Sequence, residues 1–204
     1  MDTIRHTKVV NPVSKEHMLF CVLGRTSSGK DTLVNKLCEK TGARKLISYT
    51  TRPRRDEEEN THIFVTEEEY EKMLANGQVA VDTNINGNYY WSTIEQLHKA
   101  DVYILDYIGW KKLKELNLPG IRPVSVFINT PEEVRKERAL NKRGDDKKIF
   151  VSRNFSEKRQ FEEMLKKGDF DYSIRNIKFP ESFSVFKWIY TAEGGEYHEN
   201  NGGH

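Results

Sequence analysis

The stretch that most constrains this chain is residues 24–32, which read GRTSSGKDT. It directly follows an apolar run at residues 18–23 and opens a segment in which Leu33, Val34 and Leu37 recur with helical spacing. A strand, a glycine-containing loop and a helix in this order are the context of a phosphate-binding P-loop. The two glycines let backbone N–H groups point at a phosphate, and the helix start adds a partial positive charge. A simple strand-to-helix turn would also use glycine, but the lysine that follows favours phosphate binding.

The residue after the P-loop lysine departs from the usual motif. Lys30 can reach the outer phosphates of a nucleotide as a point charge, but Asp31 replaces the Ser or Thr that normally holds Mg²⁺, and Thr32 comes one place later. A carboxylate can still hold Mg²⁺, directly or through water. The metal-ligand candidates are therefore Asp31, Thr32 and the strand-end residue Asp106, for which a hydrogen-bonded turn aspartate is the alternative interpretation. The predicted ATP-binding loop comprises Gly24, Arg25, Thr26, Ser27, Ser28, Gly29, Lys30, Asp31 and Thr32.

Length and composition limit the classes of protein that this chain can belong to. A chain of 204 residues suits one domain, and 36% apolar with 31% charged residues predicts a soluble protein. The net charge of +2 does not predict nucleic-acid binding, and no apolar run approaches membrane-spanning length. Cys21 and Cys38 lie in the first predicted strand and helix, and two such thiols without a signal peptide predict a cytoplasmic location.

Beyond the P-loop, apolar runs alternate with helical patterns. Strands are predicted at residues 18–23, 45–48, 101–106 and 124–128. Helices are predicted to begin at Pro131, with Thr130 as the N-cap, and at residues 179–181. Alternation of this kind predicts an α/β fold with a P-loop NTPase-type parallel sheet flanked by helices.

Residues 48–93 break this alternation and are predicted to form a small strand-rich lobe inserted into the α/β core. Thr66 and Glu69 form a capping box for one helix of the lobe, and Ser92 with Glu95 predicts the start of another. Short extended runs lie at residues 62–65, 79–81 and 89–91, with an Asn-Gly hairpin turn at residues 86–88.

The two ends of the chain differ from its middle. Residues 1–17 are interpreted as an N-terminal extension, and the polar, glycine-rich residues 193–204 as a disordered tail. The domain between them is predicted to span residues 18–192.

A second functional signal is the stretch SYTTRPRR at residues 48–55. It places hydroxyl groups and three guanidinium groups just beyond a predicted strand, and arginine forks match the oxygens of a phosphate. A solvated basic loop balanced by the acidic residues 56–59 is the alternative interpretation. The P-loop upstream favours a second phosphate site, for the acceptor of a transferred group.

Several motifs in a fixed order make the chain resemble the guanylate kinase family from about residue 18 to about residue 190. After the P-loop, the family shows a serine followed by Thr-Thr-Arg-x-x-Arg, then a Phe-Val strand, and then a Gly-Asn-Tyr-Tyr turn with a nearby serine. Further along the chain it shows a strand that ends in Leu-Asp and a lid with Arg-Gly and a further arginine. The last motif is Phe-Asp-Tyr-x-Ile-x-Asn. These motifs are met here by Ser48 with Thr50, Thr51, Arg52 and Arg55, by Phe64-Val65, by residues 87–92, by Leu105-Asp106, by Arg143-Gly144 with Arg153, and by residues 170–176.

The resemblance implies transfer of a phosphoryl group from ATP to GMP or dGMP with Mg²⁺, so that the partners are small-molecule nucleotides. It implies a lid at about residues 141–154 that closes over them and excludes water. The implied acceptor residues are Ser48, Arg52, Arg55, Tyr90 and Ser92, with His62 where a phosphate-binding tyrosine is usual. The implied catalytic residues are Lys30, Arg52, Arg143 and Arg153. For Arg143 and Arg153, an exposed surface charge is the alternative interpretation.

Departures from the family pattern concentrate where the acceptor base is read. Family members read guanine with two carboxylates, and Val81 and Ile108 stand at those positions here. Asp82 is a further candidate for the acceptor site, but a shift of one residue turns a side chain to the other face of a strand unless a bulge re-aims it. Trp91 replaces a glycine and is expected to add bulk or a stacking surface near the base. A kinase for a different nucleoside monophosphate is therefore the first alternative.

Two other classes of protein fit the sequence less well. A non-catalytic guanylate kinase-like interaction module binds peptides after losing its ATP site, whereas this chain keeps both loop glycines and Lys30. A nucleic-acid end kinase would be expected to carry a long basic stripe, which is absent from this sequence.

Overall fold

The computed structural model describes residues 16–196 of the chain. Its strands are β1 (His17–Leu23), β2 (Tyr49–Thr50), β3 (Ile63–Phe64), β4 (Val81–Ile85), β5 (Asn88–Ser92), β6 (Val102–Ile104), β7 (Ile121–Asn129) and β8 (Tyr172–Arg175). Its helices are α1 (Lys30–Thr41), α2 (Glu67–Ala75), α3 (Ile94–Lys99), α4 (Tyr107–Leu116), α5 (Glu132–Glu137), α6 (Lys147–Lys167) and α7 (Phe179–Ala192), with a π-helical turn at Arg138–Lys142. Within residues 16–196, none of the helices has the length and apolar character needed to cross a membrane.

Strand β1 lies inside a parallel four-stranded sheet with the order β6-β1-β7-β8. Its alternate side chains pack on opposite faces: Leu19 and Cys21 contact the core under α4 and α6, while Phe20 and Val22 contact the core under α1 and α7. Both faces of the strand are therefore covered, which explains its continuous apolar sequence. The predicted α/β fold with a helix-flanked parallel sheet is confirmed. In open parallel sheets of this kind, ligands bind at the carboxyl edge.

The inserted lobe forms a second sheet with the order β3-β2-β5-β4. Strands β4 and β5 are joined by a hairpin in which Asn86 and Gly87 have φ angles of 52° and 84°. Two successive positive φ angles define a type I′ turn, so the predicted Asn-Gly hairpin is confirmed. The predicted capping box of α2, formed by Thr66 and Glu69, is also present.

Helix α4 connects the lobe to the main sheet by packing on the edge strand β4. A Cβ added at Gly109 would lie 3.5 Å from both Val81 and Thr83, so the backbone of the helix lies directly against this strand. Val81 belongs to the same buried cluster as Tyr107 and Trp110 of α4, so this helix also links the lobe to the core of the main sheet.

Two predictions near the P-loop side of the main sheet are wrong in detail. The strand predicted at residues 45–48 is a single bridge from Lys45 to β6, because the chain then leaves this sheet for the lobe. Helix α5 has Pro131 rather than Thr130 as its N-cap. The hydroxyl of Thr130 does not cap the helix because it donates to the Ser28 carbonyl at 2.9 Å.

The start of α3 is also displaced by one residue from its prediction. The capping box consists of Thr93 and Gln96, not of Ser92 and Glu95. Ser92 still pairs with Val81 in the β4–β5 ladder, so the chain can turn into the helix only after it.

The described structure extends slightly beyond the predicted domain at both ends. Strand β1 begins at His17, inside the predicted extension. Glu193, which was assigned to a disordered tail, accepts a hydrogen bond from Arg122 at 2.7 Å, so disorder is wrong for the start of that tail. The remaining parts of both predicted segments, residues 1–15 and 197–204, lie outside the described residues.

Candidate active site

The P-loop leaves the carboxyl end of β1 and enters α1, as the sequence predicts. Ser27 and Gly29 have φ angles of 61° and 86°, and left-handed residues of this kind let successive N–H groups converge on an anion. A side chain cannot replace the hydrogen of Gly29, because a Cβ there would lie 2.6 Å from Nδ2 of Asn176 and 3.2 Å from a guanidinium nitrogen of Arg138. The second loop glycine is therefore required by both backbone conformation and space.

Three side chains hold the Ser28 carbonyl in place. It accepts hydrogen bonds from Asn176 Nδ2 at 2.7 Å, from Thr130 Oγ1 at 2.9 Å and from Arg138 Nη1 at 3.0 Å. With this oxygen fixed, the loop cannot turn it toward a phosphate. The first-turn N–H groups of α1 have no partner within the helix, so they remain available as donors. The arrangement has the features of anion-binding sites at helix N-termini.

Asp31 lies between two lysines at the start of α1. Its carboxylate is 3.8 Å from Lys30 Nζ and 4.0 Å from Lys45 Nζ. Burial opposes ionisation, but the two lysines hold the pKa of Asp31 below its usual value. The side chain is still 63% exposed. An ionised, accessible oxygen ligand beside the P-loop lysine fits Mg²⁺.

The other two metal candidates are placed differently. Asp106 is the N-cap of α4, its Oδ1 accepts from the Gly109 N–H at 2.7 Å, and burial raises its pKa. One of its oxygens is therefore already committed to the helix. Thr32 is exposed in the first turn of α1. Within residues 16–196, no three His, Cys, Asp or Glu side chains form a ready-made metal cluster.

The lid arginine Arg143 reaches the P-loop. Its Nη2 donates to Ser27 Oγ at 2.9 Å and it also pairs with the carboxylate of Asp145. The predicted lid begins in the π-helical turn, passes through Gly144 with a φ of 72° and enters α6, whose N-cap is Asp146. The irregular backbone before α6 is what lets Arg143 turn toward the loop.

Helix α6 contacts the P-loop through residues next to Arg153 rather than through Arg153 itself. Asn154 Oδ1 accepts from Arg25 Nη2 at 2.8 Å, and Glu157 Oε2 accepts from the Thr26 N–H at 2.7 Å. Asn154 and Glu157 are three residues apart and therefore share one helix face. The Arg153 side chain is half-exposed, with no hydrogen-bond or ion-pair partner among residues 16–196.

Sequence reasoning missed two arginines that support the P-loop. Arg135 is 1% exposed, and its Nη1 donates to Asn154 Oδ1 at 2.8 Å and to the Thr26 carbonyl at 3.4 Å. Arg138 Nη2 donates to the Asn176 carbonyl at 3.1 Å. Burial lowers the pKa of both arginines. Their spacing of three residues, just after the carboxyl end of β7, is the signal that could have identified them.

The period of two along each strand determines which side chains of the lobe face the acceptor. The register pairs Tyr90 with both Thr50 and Thr83, and pairs Thr50 with Phe64. Paired residues and those two places away lie on one face of a sheet. This acceptor face carries Ser48, Thr50, His62, Phe64, Val81, Thr83, Tyr90 and Ser92. The structure thus brings the predicted residues Ser48, His62, Tyr90 and Ser92 together.

His62 lies among the hydroxyl and cationic groups of this face. Its Nδ1 is 3.0 Å from Ser48 Oγ, and its ring centroid is 5.4 Å from that of Tyr90. Burial, together with the positive charges of Arg52 and Lys45, holds the pKa of His62 below its usual value. The imidazole is therefore neutral near pH 7 and can act as a hydrogen-bond partner.

The two predicted acceptor arginines lie in the loop between β2 and β3 and differ in exposure. The Arg52 side chain is 12% exposed and forms a bidentate ion pair with Glu59, at 2.7 and 3.2 Å. The Arg55 side chain is 61% exposed, and its Nη1 lies 3.9 Å from the same carboxylate. Arg52 is therefore held in place, whereas Arg55 is free to adjust to a ligand.

This ion pair predicts a specific loss of stability in acid. The hydrogen bond from Arg52 holds the pKa of Glu59 at about 2, below its ordinary value of 4.5. Because the pKa of the folded state is the lower one, the contribution is fully present above about pH 4.5 and is lost as the pH falls toward 2. As the pH falls from about 4.5 to about 2, the unfolding free energy measured in urea should decrease more for wild type than for Glu59→Gln. The exposed Glu58→Gln control should follow wild type, and parallel curves for all three proteins would contradict the assignment.

Asp82 does not belong to the acceptor face, and its predicted role there is wrong. The β4–β5 ladder is regular over five residue pairs, with no bulge to re-aim a side chain. Asp82 therefore points to the opposite face. There it accepts hydrogen bonds from Lys112 Nζ at 2.6 Å and from the Tyr70 hydroxyl at 3.3 Å.

Trp91 also faces away from the acceptor. It is fully buried, with its ring centroid 4.7 Å from that of Tyr70 and 5.4 Å from that of Tyr49. The expectation that it would provide bulk or a stacking surface near the base is therefore wrong. Trp91 is the central core residue between the lobe sheet and α2, which explains why an aromatic residue can replace glycine there.

The fold, the P-loop and the arginine-containing loop of the lobe define a class of protein: a P-loop nucleotide kinase with an inserted lobe. The chain belongs to the guanylate kinase family, whose model, described as guanylate kinase, matches residues 16–193. The resemblance inferred from the motifs is thereby confirmed.

Individual relatives and a solved structure agree with this family. The guanylate kinase of Vibrio parahaemolyticus is 30% identical over 183 residues, which cover 86% of this chain and 87% of the relative. That of Photobacterium profundum is 30% identical over 184 residues, with the same coverage. The crystal structure of guanylate kinase from Anaplasma phagocytophilum has a TM-score of 0.63 with 20% identity and covers 93% of both chains. This structural likeness supports the fold.

Proposed function

We propose that this chain is an ATP-dependent nucleoside monophosphate kinase that transfers the γ-phosphoryl group of ATP to GMP or dGMP. The observation that carries the proposal is the presence of two loops rich in groups that suit phosphate: one around Lys30 follows β1 of the main sheet, and one around Arg52 follows β2 of the lobe. Phosphoryl transfer depends on positioning and charge neutralisation rather than on a protein nucleophile. Cations, hydroxyl groups and backbone N–H groups are what both loops offer.

On the donor side, the P-loop N–H groups bind the triphosphate and Lys30 offsets the charge of its outer phosphates. Arg143, already at Ser27, stabilises the charge that develops on the transferred group. Arg138 supports this geometry by holding the Ser28 carbonyl. Arg153 is the further catalytic candidate, and it lies next to Asn154, which contacts Arg25 of the P-loop.

Mg²⁺ is the proposed cofactor, and the donor set at the P-loop fits it. Asp31 would hold the ion directly or through water, with Thr32 as the second candidate. Asp106, the N-cap of α4, is the third candidate. Bound with ATP, Mg²⁺ neutralises part of the phosphate charge.

On the acceptor side, the monophosphate binds between Arg52 and Arg55, with Ser48, His62 and Tyr90 as further hydrogen-bond partners. The phosphate end of the acceptor face is the end at β2, which Arg52 and Arg55 follow. Strands β2, β5 and β4 lie side by side, so β4 is about 10 Å from that end. A nucleoside monophosphate has a comparable reach, which places its base over β5 and β4. Ser92 there has a fully buried Oγ without a hydrogen-bond partner among the described residues.

A kinase for another nucleoside monophosphate is the second candidate function. The observation that favours it is the absence of a carboxylate from the acceptor face of β4: Val81 is 1% exposed and Asp82 faces the other way. Guanine presents N1–H and N2–H₂ donors on one edge, so a site without matching acceptors gives up part of its selectivity. Thr83 and Ser92 can still hydrogen-bond a purine or a pyrimidine.

A panel of nucleoside monophosphates with ATP and Mg²⁺ tests both candidates. We expect turnover of GMP, with a kcat/KM within about tenfold of that for IMP, because Val81 and Ile108 stand where the family places its two guanine-reading carboxylates. AMP, CMP, UMP and the deoxynucleotides complete the panel in a coupled ADP assay. Turnover of another base without turnover of GMP would favour the second candidate, and no turnover with any nucleotide would contradict the kinase proposal.

We also propose a cytoplasmic location for this enzyme. Cys21 and Cys38 are both free thiols, and Cys21 is fully buried. Thiols that stay reduced are typical of a reducing compartment. The proposed partners are the small-molecule nucleotides themselves. A non-catalytic interaction module finds no support in the P-loop, which keeps its glycines and lysine.

A further inference from the structure

One carboxylate in the acidic run of residues 56–59 is not a surface charge. Glu59 is 8% exposed, whereas its three acidic neighbours are all exposed. Its Oε1 accepts from Arg52 Nη2 at 2.7 Å and from the Thr61 hydroxyl at 2.9 Å. Its Oε2 accepts from the Arg55 N–H at 2.8 Å and from Arg52 Nη1 at 3.2 Å. Both oxygens are thus fully engaged by the loop that carries the two acceptor arginines.

The donors that remain on Arg52 form one edge of its guanidinium group. A guanidinium carries five N–H groups in a planar fork. Nη1 donates to Glu59 and to the Pro53 carbonyl at 2.7 Å, and Nη2 donates once to Glu59. This leaves the Nε–H and one Nη2–H, which lie on the same edge. Two parallel donors are what a phosphate needs for bidentate recognition.

Aromatic groups hold the same guanidinium on the acceptor face. Its central carbon lies 5.3 Å from the ring centroid of Phe64. Burial alone would lower the pKa of Arg52, but Glu59 and the Tyr90 hydroxyl raise it, which places Tyr90 next to the guanidinium. Phe64 and Tyr90 both belong to the acceptor face, so Arg52 lies at the phosphate end of that face.

We propose that Glu59 is a positioning residue, which fixes Arg52 so that its Nε–Nη2 edge is presented to the phosphate of the acceptor nucleotide. An unrestrained arginine loses side-chain conformational freedom each time it binds a ligand. Glu59 removes that cost from the binding step because the arginine is already ordered. The inference rests on the proposed function, since it assigns the ligand of Arg52 as the acceptor monophosphate.

The Glu59→Gln variant tests this role through a split between the two substrates. An amide keeps one oxygen but turns N–H donors toward the N–H groups of Arg52 or Arg55, so the two-point pair is lost. We expect the KM for the acceptor to rise about tenfold while the KM for ATP stays within about twofold of wild type. The matched control Glu58→Gln removes the same charge from the same loop, and we expect wild-type constants for it. An unchanged acceptor KM in Glu59→Gln overturns the proposal.

A double-mutant cycle with Arg52→Lys shows whether Glu59 acts through Arg52. The quantity measured for each variant is kcat/KM for the acceptor nucleotide at saturating ATP. This ratio can still be determined for slow variants. We expect Glu59→Gln to have less than about a twofold effect in the Arg52→Lys background, because lysine has no planar fork to position. An undiminished effect in that background overturns the proposal.

Two further outcomes separate positioning from a merely structural role and from failure of the proposed function. If Glu59→Gln melts well below wild type, Glu59→Asp replaces it, because the shorter carboxylate keeps the charge but cannot span both ends of the guanidinium. An equal loss for ATP and acceptor in Glu59→Asp means a structural role and overturns the inference. A wild-type protein that phosphorylates no nucleotide contradicts the proposed function, whereas an active wild type with an unaffected variant contradicts the inference alone.

Discussion

Replacing Lys30 with alanine should lower kcat/KM for phosphotransfer by about 100- to 1,000-fold. The Lys30 side chain is only 19% exposed, at the helix terminus where the P-loop N–H groups converge. In such a water-poor site a point charge on the outer phosphates contributes far more than it would in bulk water. The loss should fall on the chemical step, because the loop N–H groups still bind the nucleotide.

A matched lysine on the same helix controls for the loss of charge. Lys36 on α1 pairs with Glu39 at 2.6 Å on the helix surface, so Lys36→Ala should retain wild-type activity. Both variants should melt close to wild type in circular dichroism. Phosphotransfer that is unchanged in Lys30→Ala would exclude a P-loop mechanism for this chain.

The second large effect is expected for Arg143→Ala, which should lower kcat about 100-fold with little change in either KM. Arg143 contacts the P-loop only through Ser27 Oγ and is 51% exposed, so it adds little to the stability of the resting protein. Its charge matters when negative charge develops on the transferred group, and an interaction made only in the transition state lowers kcat rather than raising KM.

The neighbouring lid lysine provides the comparison for Arg143. Lys142 is 66% exposed and pairs with Glu137 at 3.6 Å, away from the P-loop. Lys142→Ala should therefore keep its kcat. If Arg143→Ala keeps its kcat as well, the lid supplies no catalytic charge through this residue.

The motifs predicted the parts of this molecule that depend on local backbone chemistry. The P-loop, the Asn-Gly hairpin and the Thr66 capping box each require particular residues at fixed spacing, and each is present. The acceptor face was also predictable in part, because the family resemblance implied Ser48, Tyr90 and Ser92, and the register of the paired strands places all three on one face.

Errors arose where the answer depended on the pairing of strands. Asp82 and Trp91 were expected near the base, but a regular β4–β5 ladder places both on the opposite face. Side chains alternate between the two faces of a strand, but this alternation does not by itself show which series of side chains faces the ligand. The packing of α2 on one face of the lobe sheet, where Tyr70 contacts Trp91, decides which series is buried.

The contacts of the supporting groups could not be predicted because these groups are distant in sequence from what they touch. Arg138 and Asn176 meet Ser28 across more than a hundred residues of chain, and only the parallel order of β1, β7 and β8 brings them to one edge. Glu59 was one of four adjacent acids with nothing in the sequence to distinguish it. Its two-point pair with Arg52 is a property of how the loop folds.

The central claim is that this chain moves a phosphoryl group from ATP to GMP, and ³¹P NMR of the reaction mixture tests it most directly. With wild-type protein, ATP, GMP and Mg²⁺, we predict that ADP and GDP appear in equal amounts while inorganic phosphate stays at the level of a protein-free sample. Omitting GMP should stop ADP formation, because a closed lid protects ATP from water. ADP and inorganic phosphate without GDP, or no loss of ATP at all, would contradict the account.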